Sequence, residues 1–368
     1  MKIKPILWIT SMILLLAGCA RFNIQPTGLS SGPASSPPEA GSPSARAVEW
    51  PTTDWAVSTP GEQGMNPAIL QSMLTRVETD SLNLHALLVI RHGKIVLEKY
   101  YPGHVQSERH ELYSVTKSFV ATLFGIALDQ GKFTGMEQRV VEFFPEKTFL
   151  HPDKRKDALT LEHLLSMTTG LDWKEGDPTY GAMYRSSDWV GYVLGLPMRA
   201  APGEEFNYCS GCSHVLLKVV ERASGVEAVE YARKNLFEPL GIRDFGWERT
   251  PQGDAIGGWG LTLNARDMAK LGYLYLHQGE WDGRQVVSAD WVRAATTRRA
   301  DPEGRLGYGF QWWLYDTHSA YAALGRGGQT IFVIPDLDVI VVTTADIANH
   351  DPIFALIDEY IIPASGGE

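Results

Sequence analysis

Glu111-Leu112-Tyr113-Ser114-Val115-Thr116-Lys117-Ser118-Phe119-Val120 heads an apolar run in which Phe119, Val120, Leu123, Phe124, Ile126 and Leu128 recur at helical spacing. Residues three apart share a helix face, so in the expected helix, ending near Gly131, the Lys117 amine lies beside the Ser114 hydroxyl. Ser114 would occupy the first turn, where unpaired backbone N–H groups and the helix dipole favour negative charge. A lysine held among apolar side chains loses proton affinity by desolvation. A weak nucleophile beside such a base is the arrangement that activates a hydroxyl. Ser-x-x-Lys occurs once in the chain. Alone that spacing says little, and its meaning depends on the segments around it.

Upstream, Leu84–Tyr101 reads as a hairpin: Leu87–Ile90 is a strand, Arg91-His92-Gly93-Lys94 the turn, and Ile95–Tyr100 the return. Pro67–Thr79 before it has helical periodicity. Downstream, Glu137–Trp291 is mainly helical in pattern, with helices expected over Leu161–Ser166, His214–Ser224, Val226–Asn235 and Ala265–His277. Asn264 caps the last of these, and Arg266 and Lys270 are expected along its surface. Strands return at Gly309–Tyr315, Ser319–Leu324, Thr330–Pro335 and Val339–Ala345, and Pro352–Tyr360 reads as a closing helix. Strands at both ends with helices between them imply an α/β (α+β) fold. One antiparallel sheet joins the two chain ends, with a largely helical region beside it. The seam between such parts is a usual place for a pocket.

The chain begins differently. Lys2 and Lys4 precede an apolar run from Ile6 to Leu16, then Leu16-Ala17-Gly18-Cys19. A charged start, a short apolar middle and small residues before a cut site make a leader over residues 1–19. The run is short for a membrane span. Leu-Ala-Gly-Cys resembles the bacterial lipoprotein signal, which implies lipidation of Cys19 and, with Ala20 following, an outer-membrane anchor facing the periplasm. Residues 20–51 are rich in Ser, Pro, Gly and Ala and cannot bury enough apolar surface to offset ordering. They read as a disordered tether with a reach of about 30 Å. Residues 52–368 form the globular part. A net charge of −10 without a basic run argues against nucleic acid as a partner. Cys209 and Cys212 are read as small buried thiols, with a short disulfide as the alternative. No His, Glu, Asp or Cys cluster has zinc spacing, so no metal or other cofactor is expected.

Four segments together resemble one family. They are Ser114-Val115-Thr116-Lys117, His163-Leu164-Leu165-Ser166-Met167-Thr168-Thr169-Gly170-Leu171-Asp172, Pro202-Gly203-Glu204-Glu205-Phe206-Asn207-Tyr208-Cys209-Ser210, and Leu324-Gly325-Arg326-Gly327-Gly328-Gln329. In order and spacing these are similar to the motifs of the serine β-lactamase/penicillin-binding-protein superfamily. The likeness is to its class C-type group, which includes carboxylesterases, D-aminopeptidase-like enzymes and 6-aminohexanoate-dimer hydrolase. It spans about Trp55 to Tyr360.

The resemblance implies a serine hydrolase acting on a small-molecule ester or amide through an acyl-enzyme on Ser114, with Lys117 and Tyr208 moving protons and the nearby lysine favouring a phenolate. It implies an oxyanion hole from the backbone N–H groups of Ser114 and Arg326. Ser210, Trp259 and Gly325 are the candidate substrate contacts, and Tyr180 and Tyr184 fall in a loop-rich stretch where this group places others. Two positions depart from the family pattern: Ser210 stands where asparagine is frequent, and Ala323-Leu324-Gly325 where Lys-Thr-Gly or His-x-Gly is frequent. The second removes a cation that would hold a carboxylate. That argues against β-lactam or D-amino-acid peptide hydrolysis, which remains the rival activity. A catalytically silent envelope-binding lipoprotein is the other rival.

Overall fold

Val339–Ala345 is buried along its whole length, which is why its residues are apolar on both sides of the strand rather than alternating. The computed structural model describes residues 48–367 except 149, 177, 303 and 305. The expected leader 1–19 with Cys19, and the tether as far as residue 47, lie outside the described residues. Of the tether's expected last four residues, Trp50 and Pro51 are instead packed against the globular part. The Trp50 ring meets Tyr273, His277 and Trp281 at centroid distances of 5.7, 5.0 and 5.6 Å, and Glu49 pairs with Lys94 at 2.9 Å. One large aromatic is enough to dock this end of the segment.

The strands are β1 (Ala56–Val57), β2 (Leu84–Arg91), β3 (Lys94–Tyr100), β4 (His110–Glu111), β5 (Gly246–Trp247), β6 (Leu261–Leu263) and β7 (Glu280–Trp281). They continue as β8 (Arg284–Gln285), β9 (Gly307–Tyr308), β10 (Trp313–Leu314), β11 (Tyr321–Gly325), β12 (Gln329–Ile334) and β13 (Val339–Ala345). The helices are α1 (Pro67–Thr79), α2 (Thr116–Asp129), α3 (Leu161–Leu165), α4 (Thr179–Arg185), α5 (Trp189–Gly195) and α6 (Ser210–Ser224). After them come α7 (Ala228–Ala232), α8 (Ala265–Leu276), α9 (Ala289–Ala295), α10 (Asp351–Leu356) and α11 (Ile362–Ala364).

The main sheet runs β1-β3-β2-β13-β12-β11-β10-β9. Its pairs are antiparallel except the short edge pair β1–β3, which is parallel. The two chain ends therefore meet as expected: Ile90 lies opposite Ile340 and Leu88 opposite Val342. Successive side chains point to opposite faces. Leu88, Ile90, Ile331, Val333, Ile340 and Val342 pack with α2, α8 and the helical region. Leu87, Val89, Phe332, Ile334, Val339 and Val341 pack with α1 and the closing helices. A sheet covered on both faces needs two apolar faces, and this one has them. A second sheet, β4-β6-β5, was not visible in the sequence because its strands are two or three residues long.

Several expectations are corrected. Gly309–Tyr315 is not one strand. Gln311 has φ +61 and its side-chain amide donates to the Leu164 and Leu165 carbonyls at 3.0 and 2.9 Å, so only Trp313–Leu314 pairs. Cys209 and Cys212 are disulfide-bonded, not free thiols. They stand one helical turn apart, with α-carbons 5.2 Å from one another. The Cys209 sulfur also accepts from the Cys212 amide at 3.0 Å, so α6 starts at Ser210, ahead of the apolar pattern at His214. Arg266 and Lys270 do not lie along a solvated face. Arg266 pairs with Glu98 at 2.7 Å and Asp54 at 2.6 Å, while Lys270 is buried against Asp267 and the Gly241 carbonyl. The polar side of α8 is covered by β3 and the Gly241 turn. Asn264 does cap α8, accepting from the Asp267 amide at 2.9 Å.

Helix α8 lies against the sheet where Gly272 faces it. A β-carbon there would stand 2.9 Å from Ile331 and 3.0 Å from Ile340. Gly272→Val should therefore overpack this layer and lower stability by about 1–3 kcal/mol, read as a lower urea midpoint at unchanged slope.

Candidate active site

Helix α2 is buried from Thr116 to Ala127, so it runs through the centre of the molecule as an element apolar nearly all round. Ser114 sits just before it, in the 3-10 turn Tyr113–Val115. Tyr113 has φ +46, a left-handed conformation that is costly for a bulky residue. The surroundings hold it there. The Leu112 amide donates to the Leu261 carbonyl at 2.9 Å, and the end of β11 presses on the other side. A β-carbon on Gly325 would come within 2.3 Å of the Leu112 carbonyl oxygen. Gly325 was an expected substrate contact, yet it does not line the cavity described below. Its missing side chain is what allows β11 to reach the serine turn.

Lys117 follows one turn later, 1% exposed. Its Nζ donates to Ser114 Oγ at 2.8 Å and to the Gly258 carbonyl at 2.7 Å. Burial pushes its pKa down to about 8, with the negative charge of Glu175 working in the opposite direction. The Gly258 carbonyl reaches the amine because glycine stands there: a β-carbon would lie 2.5 Å from the Ser210 carbonyl oxygen. The stretch Gly257-Gly258-Trp259 is thus both a close backbone approach and, through Trp259, part of the cavity wall.

Tyr208 enters from the segment leading into α6. It lines the same cavity as Ser114, and the Lys117 nitrogen lies 4.9 Å from its ring centroid. Trp313 stacks on the ring at 5.7 Å. Burial raises the Tyr208 pKa well above the ordinary phenol value. The Ser114 hydroxyl opposes this and the charge of Glu175 adds to it. The expected phenolate is therefore corrected to a neutral phenol, since desolvation dominates. A neutral phenol can accept one proton while donating another, which a phenolate cannot.

A cavity of about 550 Å³ opens over these groups, lined by Ser114, Tyr208, Ser210, Trp259, Gly258 and Arg326 among others. Ser210 and Trp259 are thus in its wall as expected, and so is Arg326, at the end of β11. Tyr180 and Tyr184 line it as well. They come from α4, a helix unseen in the sequence because 172–200 carries no clear period.

Glu175 was missed altogether. Its carboxylate accepts from Trp173 Nε1 at 2.7 Å, from the Ser210 amide at 3.2 Å, and from the hydroxyls of Ser210 and Tyr180. The only hint was an acidic residue just after Leu171-Asp172-Trp173. Ser210, standing where an amide side chain was expected, is the hydroxyl that fixes this carboxylate.

A hydroxyl within 2.8 Å of a desolvated amine, at the seam of a two-faced sheet and a helical region, defines a serine hydrolase. The profile of the Beta-lactamase family matches residues 83–362, and the chain belongs to that family. It is 30% identical over 294 residues to the 6-aminohexanoate-dimer hydrolase of Paenarthrobacter ureafaciens, covering 72% of this chain and 73% of that protein. Among solved structures, it is similar to a family VIII carboxylesterase (TM-score 0.67, 15% identity, 83% of this chain and 98% of that one). A penicillin-binding protein homologue from Caulobacter crescentus shares the fold (TM-score 0.65, 19% identity, 85% and 100%).

The lysine environment can be tested apart from any role. In a nitrogen-15 NMR titration with labelled lysine, the Lys117 amine should titrate near 8, below the ordinary value for a lysine. Glu175→Gln removes a charge that favours the ammonium, so it should move that midpoint to lower pH.

Proposed function

We propose that Ser114 is the nucleophile, Lys117 its base and Tyr208 the proton relay in acyl transfer to water. The observation that carries this reading is the 2.8 Å separation of Lys117 Nζ from Ser114 Oγ inside a buried site. A neutral lysine has two N–H bonds and one lone pair. With one N–H on the Gly258 carbonyl, the lone pair is free to face the serine hydroxyl. Ser114 Oγ then bonds to the substrate carbonyl carbon while its proton passes to Lys117. The backbone N–H groups of Ser114 and Arg326 are the proposed donors to the oxyanion. As the tetrahedral intermediate collapses, the bond to the leaving nitrogen or oxygen breaks, and that atom takes a proton through the Tyr208 phenol. Water, giving up its proton along the same route, attacks the seryl ester and frees the acid. No cofactor enters.

The cavity suggests the substrate. Glu111 and Glu248 line it with Tyr180, Tyr184 and Trp259. Burial, followed by the charge of Glu248, raises the Glu111 pKa. A cationic substrate end would relieve that repulsion. We therefore favour short linear amides or esters carrying a free amine, in keeping with the activity for which the Paenarthrobacter relative is named. Arg326 is the one lining cation among the described residues, so β-lactam turnover should be slow beside ester turnover. We also propose, from Lys2, Lys4 and Leu16-Ala17-Gly18-Cys19, that Cys19 is lipidated and anchors the enzyme at the outer membrane, facing the periplasm.

Ser114→Ala should cut kcat on a p-nitrophenyl ester by at least about 1,000-fold and abolish labelling by a fluorophosphonate, with an unchanged circular dichroism spectrum. Tyr208→Phe should cost about 100-fold. Wild-type turnover by the Ser114 variant would overturn the assignment. For the substrate, N-acetylation of a 6-aminohexanoate amide should raise KM several-fold, and equal KM values would remove the amine preference. Labelled palmitate should enter the wild-type chain in a bacterial host and be absent from Cys19→Ala.

A further inference from the structure

The first hairpin, the loop after it and β4 bring three histidines together that the hydrolytic site does not use. His85 stands on β2, His104 in the loop following β3, and His110 on β4. Their spacing in sequence has no metal-binding pattern, which is why the sequence offered no metal. In the fold, one ring nitrogen of each lies within 4.8 Å of those of the other two. His85 Nδ1 and His110 Nδ1 face one another at 3.4 Å. For a tetrahedral zinc with Zn–N bonds of about 2.0–2.1 Å, the distance between two ligand nitrogens is about 3.3 Å. The gap already has the length of one such edge. The His104 ring stacks on His85 with centroids 3.9 Å apart.

The surroundings prepare the nitrogens for this use. Glu108 Oε2 lies 2.9 Å from His104 Nδ1, so it can take that N–H and leave the Nε2 lone pair free. The same oxygen lies 3.8 Å from His110 Nε2, on the side of the ring away from His85. A carboxylate on the far nitrogen of an imidazole orients it and raises its basicity as a ligand. His85 and His110 open onto a cavity of about 590 Å³ that Asp346 also lines, with room for water or a carboxylate in a fourth position.

We propose that His85, His104 and His110 bind one divalent transition-metal ion of the zinc type. Three imidazoles suit Zn²⁺, Cu²⁺ or Ni²⁺ over Mg²⁺ or Ca²⁺. The ion would clip the 101–109 loop to β2 and fix the start of β4, four residues before Ser114. The proposal is independent of the hydrolytic reading.

The test uses the full chain, purified without a polyhistidine tag and stripped with a chelator. Titration with zinc chloride in a calorimeter should show one equivalent bound and a raised melting temperature. Cobalt(II) should give the intense visible absorption of a four-coordinate ion. His104→Ala, on a half-exposed loop, should fold and weaken zinc at least about 10-fold, and Glu108→Gln should weaken it about 10-fold or more. Calcium should neither bind nor compete. No uptake of zinc by the wild type, uptake unchanged in both His104→Ala and His110→Ala, or a cobalt spectrum of the hexaaqua ion would each overturn the site.

Discussion

The structure depends on keeping one ammonium group in a place where it is disfavoured. Lys117 lies inside α2, a helix otherwise made of apolar and small residues. An unpaired buried cation costs several kcal/mol, and among the described residues no carboxylate is in salt-bridge contact with it. The two atoms that receive it are a serine oxygen and a backbone carbonyl. The fold meets that cost by lowering the proton affinity of the amine, to a pKa of about 8. The apolar packing that surrounds α2 is thus also what sets the basicity of Lys117.

Everything around the lysine follows from close backbone approach. Gly258 brings a carbonyl to the amine, and Gly325 brings β11 to the serine turn. Tyr113 accepts a left-handed conformation at the point where β4 gives way to α2. Tyr208 arrives on a segment whose far end is fixed by the Cys209–Cys212 disulfide. Glu175 ties α4's loop to the start of α6 through Ser210. The contacts of Gly258, Gly325 and Glu175 join segments far apart in sequence. The cavity has its shape because five separate stretches are pressed against one another, and none could form it alone.

What could be read from the chain, and what could not, divides along the same line. The sheet was legible because β2 and β13 are long and apolar enough to show their period, and their mutual pairing followed from helices lying between them. Ser114, Lys117 and Tyr208 were legible as types at fixed spacings, and the fold brings them together. The phenolate on Tyr208 was misjudged because charge was weighed without burial, which only the packed site reveals. Glu175 and the histidine cluster were invisible for another reason: Glu175 and His104 lie in loops and His110 in a strand of two residues, which carry no periodic signal. Gln311 shows the opposite failure. A run of residues that favours strands was broken by a side-chain amide capturing two carbonyls of α3.

The pairing of β2 with β13 has a consequence for how the molecule comes into being. The strand at the centre of the sheet, Val339–Ala345, is separated by a long stretch of sequence from the neighbour it pairs with, Leu84–Arg91. Contacts of such long sequence separation form late and slowly. Until residues 339–345 arrive, β11 and β12 have nothing to stand on, and Arg326 has no fixed position beside Ser114. A chain without residues 339–345 would therefore leave Ser114 without its neighbours from the end of β11, and the cavity takes its shape only when both strands are in place.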